Sequence, residues 1–178
     1  MPIRHLIRPA IWLLTLAYPW LWYYGHGARA LALLMAAVWL LRAILAPRRA
    51  VRLGALALAA YFTATTLLDN KNALTLYPLI INATLLIAFT ASLIHPPSAI
   101  ERLARLQHPD LPPTGVAYTR RVTQIWCGFF IVNGGIIATL SFIGAERAWA
   151  LYTGVISYIL MGLLLAGEWL YRRYRLKT

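Results

Sequence analysis

Residues 95–135 have the sequence HPPSAIERLARLQHPDLPPTGVAYTRRVTQIWCGFFIVNGG, which is the one long polar interval in an otherwise apolar chain. The stretch contains five of the ten prolines, an Arg-Arg pair and then the start of another apolar run. Long apolar segments joined by short turns are the pattern of membrane-spanning helices. The chain is therefore predicted to be an all-α polytopic membrane protein, in which a polar hinge segment, residues 95–121, separates two groups of spans.

The composition favours a membrane protein over a soluble one. Of 178 residues, 61% are hydrophobic and 12% are charged, about half the charged fraction of a soluble domain. The single cysteine, Cys127, excludes an internal disulfide. The four histidines are scattered, without the spacing of metal ligands. The sequence therefore predicts neither a metal site nor a cofactor.

Six apolar segments are long enough, or nearly so, to cross a bilayer core of about 30 Å. The third is short and would use flanking residues. The first begins like a signal peptide, but a second apolar run follows it at once, which favours an uncleaved helix. We predict a six-transmembrane-helix bundle forming one domain, residues 1–178, with spans at about 6–24, 28–46, 53–68, 74–94, 122–144 and 149–170.

The basic residues test this topology, because cytoplasmic loops of membrane proteins carry an excess of Lys and Arg. Six spans place both termini on one side of the membrane. Of the 17 Lys and Arg residues, only Arg29, Lys71 and Arg147 fall on the other side. The net charge of +12 therefore reflects orientation and not a nucleic-acid surface. It predicts cytoplasmic termini, a cytoplasmic hinge segment and basic rims that attract anionic lipid headgroups.

A short amphipathic helix is predicted within the hinge segment. Ser98 followed three residues later by Glu101 has the pattern of a capping box. The apolar residues Ile100, Leu103, Ala104 and Leu106 can share one face, and the charged residues Glu101, Arg102 and Arg105 the other. Such a helix lies along a membrane surface, either as a connector packed under the bundle or as a docking surface for a cytoplasmic partner or lipid headgroups. The prolines in residues 108–113 predict a stiff, extended link after it.

Two arginines, Arg120 and Arg121, precede the fifth predicted span. They fit ordinary anchoring at the inner flank of a span, which is the simpler interpretation. They also fit a phosphate clamp, because guanidinium forks match phosphoryl oxygens. The candidate contacts with headgroups or a partner are Glu101, Arg102, Arg105, Arg120 and Arg121.

Polar side chains inside the spans form a second candidate group, an intramembrane polar face made of Asn82, Asn133, Ser157 and Glu168. An amide buried in lipid needs a partner, and small residues such as Gly134 let helices touch, so adhesion between helices is one interpretation. The other is that these faces line a cavity for a headgroup or chain.

Glu168 has two further interpretations. It precedes Arg172 by four residues, the spacing of an ion pair on one helix face, and an acid within a span is also a candidate proton relay. The chain contains no nucleophile-elbow, zinc-protease or P-loop motif. No catalytic residue is predicted, and a membrane-embedded transferase would have to use Glu168 or His95 as its base.

The second half of the chain resembles a known group of proteins. The motifs are PSAIERL from Pro97, LPP from Leu111, RRVTQIWCGFFIVNG from Arg120 and the Trp149…Tyr152 start of the sixth span. They resemble a family of small bacterial inner-membrane proteins often encoded beside aryl-polyene or fatty-acid-type synthesis genes. More distantly, the layout is similar to the intracellular septation protein A family. The resemblance implies a role in envelope biogenesis at the bacterial inner membrane and carries no catalytic residues.

Three functions are therefore expected as alternatives. The first is a non-enzymatic accessory or scaffold protein whose residues 95–121 contact a cytoplasmic or membrane protein partner. The second is a small oligomeric carrier of a lipid or isoprenoid-type molecule, using the faces of Asn82, Asn133 and Ser157. The third is the transferase. Membrane lipids are predicted partners in each case, a homo-oligomer is a candidate state, and nucleic acid is not a predicted partner.

Overall fold

The computed structural model describes residues 17–25 and 27–175, and the regular structure within these ranges is helical. Residues 17–24, here α1, form the described part of the first helix. A π-helical segment, Tyr152–Ile156, joins the last two helices. The others are α2 Ala28–Leu45, α3 Arg49–Leu67, α4 Lys71–Leu74, α5 Tyr77–Ile94, α6 Ala99–Arg105, α7 Pro113–Phe142, α8 Glu146–Leu151 and α9 Ser157–Arg175.

Five helical stretches in the described ranges are long and apolar enough to cross a membrane. They are Ala28–Leu45, Arg49–Leu67, Asn72–Ile94, Pro113–Phe142 and Glu146–Arg173. The prediction of an all-α chain with apolar spans is confirmed at this level, and five such helices are compatible with a multi-pass membrane protein. The first predicted span, 6–24, lies mostly outside the described residues, so the count of six stays a prediction.

The predicted hinge segment is too long. Helix α7 begins at Pro113, not at residue 122, with Pro112 as its N-cap. Proline is well suited to the first helical position, because its fixed φ is already helical and its missing N–H would have no partner there. Residues 113–121 are therefore the first turns of α7. The link predicted as extended over 108–113 ends at residue 112 and bends at residues 109 and 110.

Other span boundaries also differ from the prediction. Helix α3 begins at Arg49 rather than at residue 53. The sixth predicted span starts earlier, at Glu146. The fourth is interrupted, because α4 ends at Leu74 and α5 begins at Tyr77.

Contacts divide the chain into two compact units, and one domain over residues 1–178 stays a prediction. One unit is Met1–Tyr77 with Gly144–Ile156, and the other is Pro78–Ile143 with Ser157–Thr178. The chain thus passes from the first unit to the second after Tyr77, returns to the first at Gly144 and enters the second again after Ile156, at the end of the π-helical segment.

The first unit has an aromatic core next to the break between α4 and α5. The Tyr18 ring packs against Phe62 and Tyr77, with centroids 6.1 and 4.9 Å away. Carbonyls near a helix end lack part of their intrahelical bonding, and aromatic donors bind three successive carbonyls at this break. The pairs are Tyr61 with Ala73, Tyr18 with Leu74 (2.7 Å) and Trp149 with Thr75 (3.1 Å).

The second unit is organised around α7. Val122, Trp126 and Phe130 form its buried stripe. Side chains from the three other helices of the unit pack against this stripe. They are Phe89 of α5, Ile100 of α6, and Met161 and Leu164 of α9. Helix α7 is therefore the element that positions the polar residues described next.

Candidate functional site

The structure brings three of the four predicted intramembrane polar residues into one hydrogen-bonded network. Asn133 Nδ2 donates to Asn82 Oδ1 at 2.8 Å, and Ser157 Oγ donates to Asn133 Oδ1 at 2.8 Å. Asn82 Nδ2 in turn donates to the carbonyl of Phe130 at 2.7 Å. The three side chains are buried. The network thus connects α5, α7 and α9 of the second unit.

This network consists of neutral groups that bond to one another. Asn82 uses both its amide nitrogen and its oxygen, and Asn133 does the same. Buried polar groups are costly without partners, and here the helices supply them. These hydrogen bonds hold α5, α7 and α9 to one another.

Glu168 lies apart from the network. Its Oε1 pairs with Arg172 Nε at 2.9 Å, so the ion pair predicted from the four-residue spacing is confirmed. The same oxygen accepts a hydrogen bond of 3.3 Å from the hydroxyl of Tyr118. The Tyr118 ring stacks on Tyr171, with centroids 5.7 Å apart. Glu168 therefore joins α7 to the last turns of α9.

Two hydroxyl groups, one on α5 and one on α7, hold helix α6 against the rest of the second unit. Ser92 Oγ accepts from the N–H of Ala99 at 2.8 Å, and Thr123 Oγ1 accepts from the N–H of Ile100 at 3.3 Å. Each hydroxyl also donates to a carbonyl of its own helix. The first N–H groups of a helix have no partner within it, so Ser92 and Thr123 satisfy two of them.

The charged residues of α6 do not share one exposed face, contrary to the prediction. Glu101 is buried, and its Oε2 accepts from the N–H of Ser98 at 3.3 Å. Its Oε1 pairs with Arg105 at 2.8 Å. Arg102 is exposed and donates to the carbonyl of Pro97 at 2.8 Å. Glu101 thus caps the N-terminus of α6 from inside the unit and is not exposed to contact a headgroup or a partner.

The apolar residues of α6 are divided between two faces as well. Ile100 packs on the core of the second unit, but Leu103 is 59% exposed and Leu106 is 81% exposed. The predicted single apolar face is wrong, because Ile100 and Glu101 lie on the inner side while Leu103 and Leu106 lie on the outer side. The outer face of α6 therefore presents Arg102, Leu103 and Leu106.

The two arginines before the fifth predicted span have different environments. Arg120 Nη1 donates to the carbonyl of Leu93 at 2.9 Å, in the last turn of α5. The dipole of α5 also favours a cation such as Arg120 near the C-terminal end of that helix. Arg121 is exposed and has no side-chain partner among the described residues. The structure therefore assigns an anchoring contact to Arg120 and leaves Arg121 outside it.

Sequence reasoning missed several residues that the structure brings into these contacts. Ser92 and Thr123 had a weak signal, as hydroxyl residues near the ends of the predicted spans 74–94 and 122–144, beside the polar segment. Tyr118 had none, since its partner Glu168 is 50 residues away in the chain. His95, the alternative base, is exposed after α5, and no hydrogen bond in the described ranges joins its side chain to Glu168.

Comparison with family models, curated proteins and solved structures finds no match for this chain. The fold itself provides the class: the described residues are helical and include five apolar helices, which is compatible with a multi-pass membrane protein.

Proposed function

We propose that this chain is a non-enzymatic accessory or scaffold protein of cell-envelope biogenesis in the bacterial inner membrane. Its partner contact is the outer face of α6. The observation that carries the proposal is the combination of a fixed inner face with an exposed outer one. Ser92, Thr123 and Arg105 hold the segment in place, while Leu103 and Leu106 project outward.

A segment that is already fixed, such as α6, favours recognition. Its conformational entropy is lost when the protein folds, so binding a partner does not have to order it. Arg102 adds to this order by donating to the carbonyls of Pro97 and His95. Arg105 donates to the carbonyl of Pro109 at 3.0 Å as well as pairing with Glu101. Two exposed leucines beside an arginine form an amphipathic surface of the kind that protein partners bury.

The hydrogen-bonded network also supports a scaffold more than a carrier. A carrier would use Asn82, Asn133 and Ser157 to contact its cargo, whereas these side chains bond to one another. The transferase alternative needs a general base, and the carboxylate of Glu168 is already bonded to Arg172 and Tyr118.

Orientation is part of the proposal, and it rests on the bias of basic residues described above. We expect a fluorescent-protein fusion after Thr178 to be bright in the cytoplasm. An alkaline phosphatase fusion in the turn at residues 144–146 should be active, because that enzyme matures only outside the cytoplasm. An active phosphatase fusion after Thr178 would overturn the orientation.

Site-specific photocrosslinking in living cells tests the docking face. A crosslinking amino acid is placed at Leu103, at Leu106 and, as a matched control, at Leu163, a leucine of α9 that is also strongly exposed. The proposal expects the same polypeptide, identified by mass spectrometry, at positions 103 and 106 but not at 163. Products that are identical at all three positions, or lipid adducts alone, would contradict it.

A further inference from the structure

The last turns of α9 contribute to a second surface feature that the proposed docking face does not include. Gln107, His108, Trp169, Arg172 and Arg173 line an open groove of about 660 Å³. The five residues come from the segment after α6 and from α9, and they all belong to the second unit.

The groove is positively charged. The guanidinium of Arg173 lies over the Trp169 ring, 5.2 Å from its centroid, and it has no ion-pair partner within the described ranges. The Nε of Arg172 pairs with Glu168 Oε1 at 2.9 Å, and 45% of the Arg172 side chain is exposed. Planar guanidinium groups with open N–H donors match the oxygens of a phosphate.

The helix that carries Trp169, Arg172 and Arg173 also has exposed apolar side chains. Trp169 is half-exposed, and leucines along α9 project from the same helix: Leu163, Leu165 and Leu170. The stretch Glu146–Arg173 is one of the candidate spans, so the groove lies where that span ends. Tryptophan and arginine at the end of a span lie at the level of lipid headgroups. A ligand with an anionic head and apolar chains therefore matches both the arginines of the groove and the exposed apolar side chains of α9.

We infer that this groove binds the phosphate group of an anionic phospholipid. Arg172 and Arg173 donate to the phosphoryl oxygens, and Trp169 packs against the lipid where headgroup and acyl chain meet. The inference goes beyond the proposed scaffold function and does not depend on a protein partner. The groove residues are not among the candidate headgroup or partner contacts predicted from the sequence, which were Glu101, Arg102, Arg105, Arg120 and Arg121.

Native mass spectrometry of the delipidated protein in a mild detergent tests this site. The probes are phosphatidylglycerol, which is anionic, and phosphatidylcholine, which carries the same phosphate without net charge. We expect one tightly bound phosphatidylglycerol and weaker binding of phosphatidylcholine. Arg173→Gln should weaken phosphatidylglycerol about fivefold, as expected for one arginine at a membrane surface. Arg173→Lys, which keeps the charge and loses the fork, should weaken it less.

Arg121→Gln is the matched control, because it removes the same charge from an exposed position outside the groove. Its affinity should equal that of the unmodified protein. An equal loss in Arg121→Gln and Arg173→Gln would show general charge attraction and overturn the site. Displacement of phosphatidylglycerol by an excess of inorganic phosphate would indicate a site for free phosphate instead. Neither result bears on crosslinking at Leu103 and Leu106, so the two proposals fail separately.

Discussion

Gly134 lies so close to Asn82 that a β-carbon at position 134 would be 2.5 Å from the side-chain nitrogen of Asn82. Asn82 cannot easily retreat, because that nitrogen donates to Phe130 and its oxygen accepts from Asn133. The missing side chain at position 134 is therefore what allows α5 and α7 to approach closely enough to form the network.

Gly134→Ala should destabilise the protein. The added methyl group overlaps an amide held by two hydrogen bonds, and overpacking of this kind costs about 1–3 kcal/mol. Gly135→Ala is the control, since a β-carbon there has no neighbour within 4 Å. Thermal unfolding in detergent measures both variants. A loss of stability that is equal in the two would contradict the close approach as the cause.

The asparagine pair should be energetically coupled. Replacing Asn82 or Asn133 with Leu removes the hydrogen bond between the two amides, at a cost of about 1–3 kcal/mol. The double variant should lose less than the sum, by about 0.6 to 1.7 kcal/mol, the range of hydrogen bonds between membrane helices.

Thr84→Val serves as the reference for this double-mutant cycle. Thr84 is exposed on α5 and donates only to its own helix, at Ile80. Its replacement should be nearly neutral, alone or combined with Asn133→Leu. Additive losses for the Asn82 and Asn133 variants would show that the two amides do not depend on each other.

Much of this architecture could be predicted from the sequence. Hydropathy located the five apolar helices of the described ranges, because a span needs about 20 apolar residues. Spacing identified the Glu168–Arg172 pair, since residues four apart are neighbours on a helix. The principle that a buried amide needs a partner singled out Asn82 and Asn133, although it did not say that the two would be partners.

The rest depended on contacts between distant residues, which periodicity does not contain. The hydroxyl of Thr123 meets the N–H of Ile100 only because α6 folds back onto α7. The buried position of Glu101 was likewise not predicted. Its carboxylate accepts a hydrogen bond from the backbone N–H of Ser98. The start of α7 at Pro113 was missed because proline was taken as a helix breaker when it occupies the first helical turn.

The hydroxyl groups that hold α6 should control its exchange with solvent. Thr123→Val keeps the shape of the side chain but removes the acceptor for the N–H of Ile100. Loss of a hydrogen bond of about 1 kcal/mol should speed exchange of that amide about fivefold. Hydrogen–deuterium exchange with mass spectrometry measures this in peptides that cover residues 98–106.

Thr139→Val provides the comparison on the same helix. Thr139 is exposed and donates only to Gly135 of α7, so its replacement should leave exchange in α6 unchanged. Ser92→Ala should act like Thr123→Val, at the N–H of Ala99. Unchanged exchange in both α6 variants would mean that other contacts hold this helix.

A close approach in the first unit leads to a rescue experiment. At Gly154, within the π-helical segment, a β-carbon would lie 2.6 Å from Trp20 Nε1 and 3.1 Å from two carbons of the same ring. Gly154→Ala should therefore lower the unfolding temperature, while Gly162→Ala should not, because a β-carbon there has no neighbour within 4 Å. Trp20→Phe in the Gly154→Ala background should restore most of the loss, since the smaller ring lacks the indole nitrogen that the methyl group would overlap. If Trp20→Phe adds its own loss instead, the overlap with Trp20 is not what makes glycine necessary at position 154.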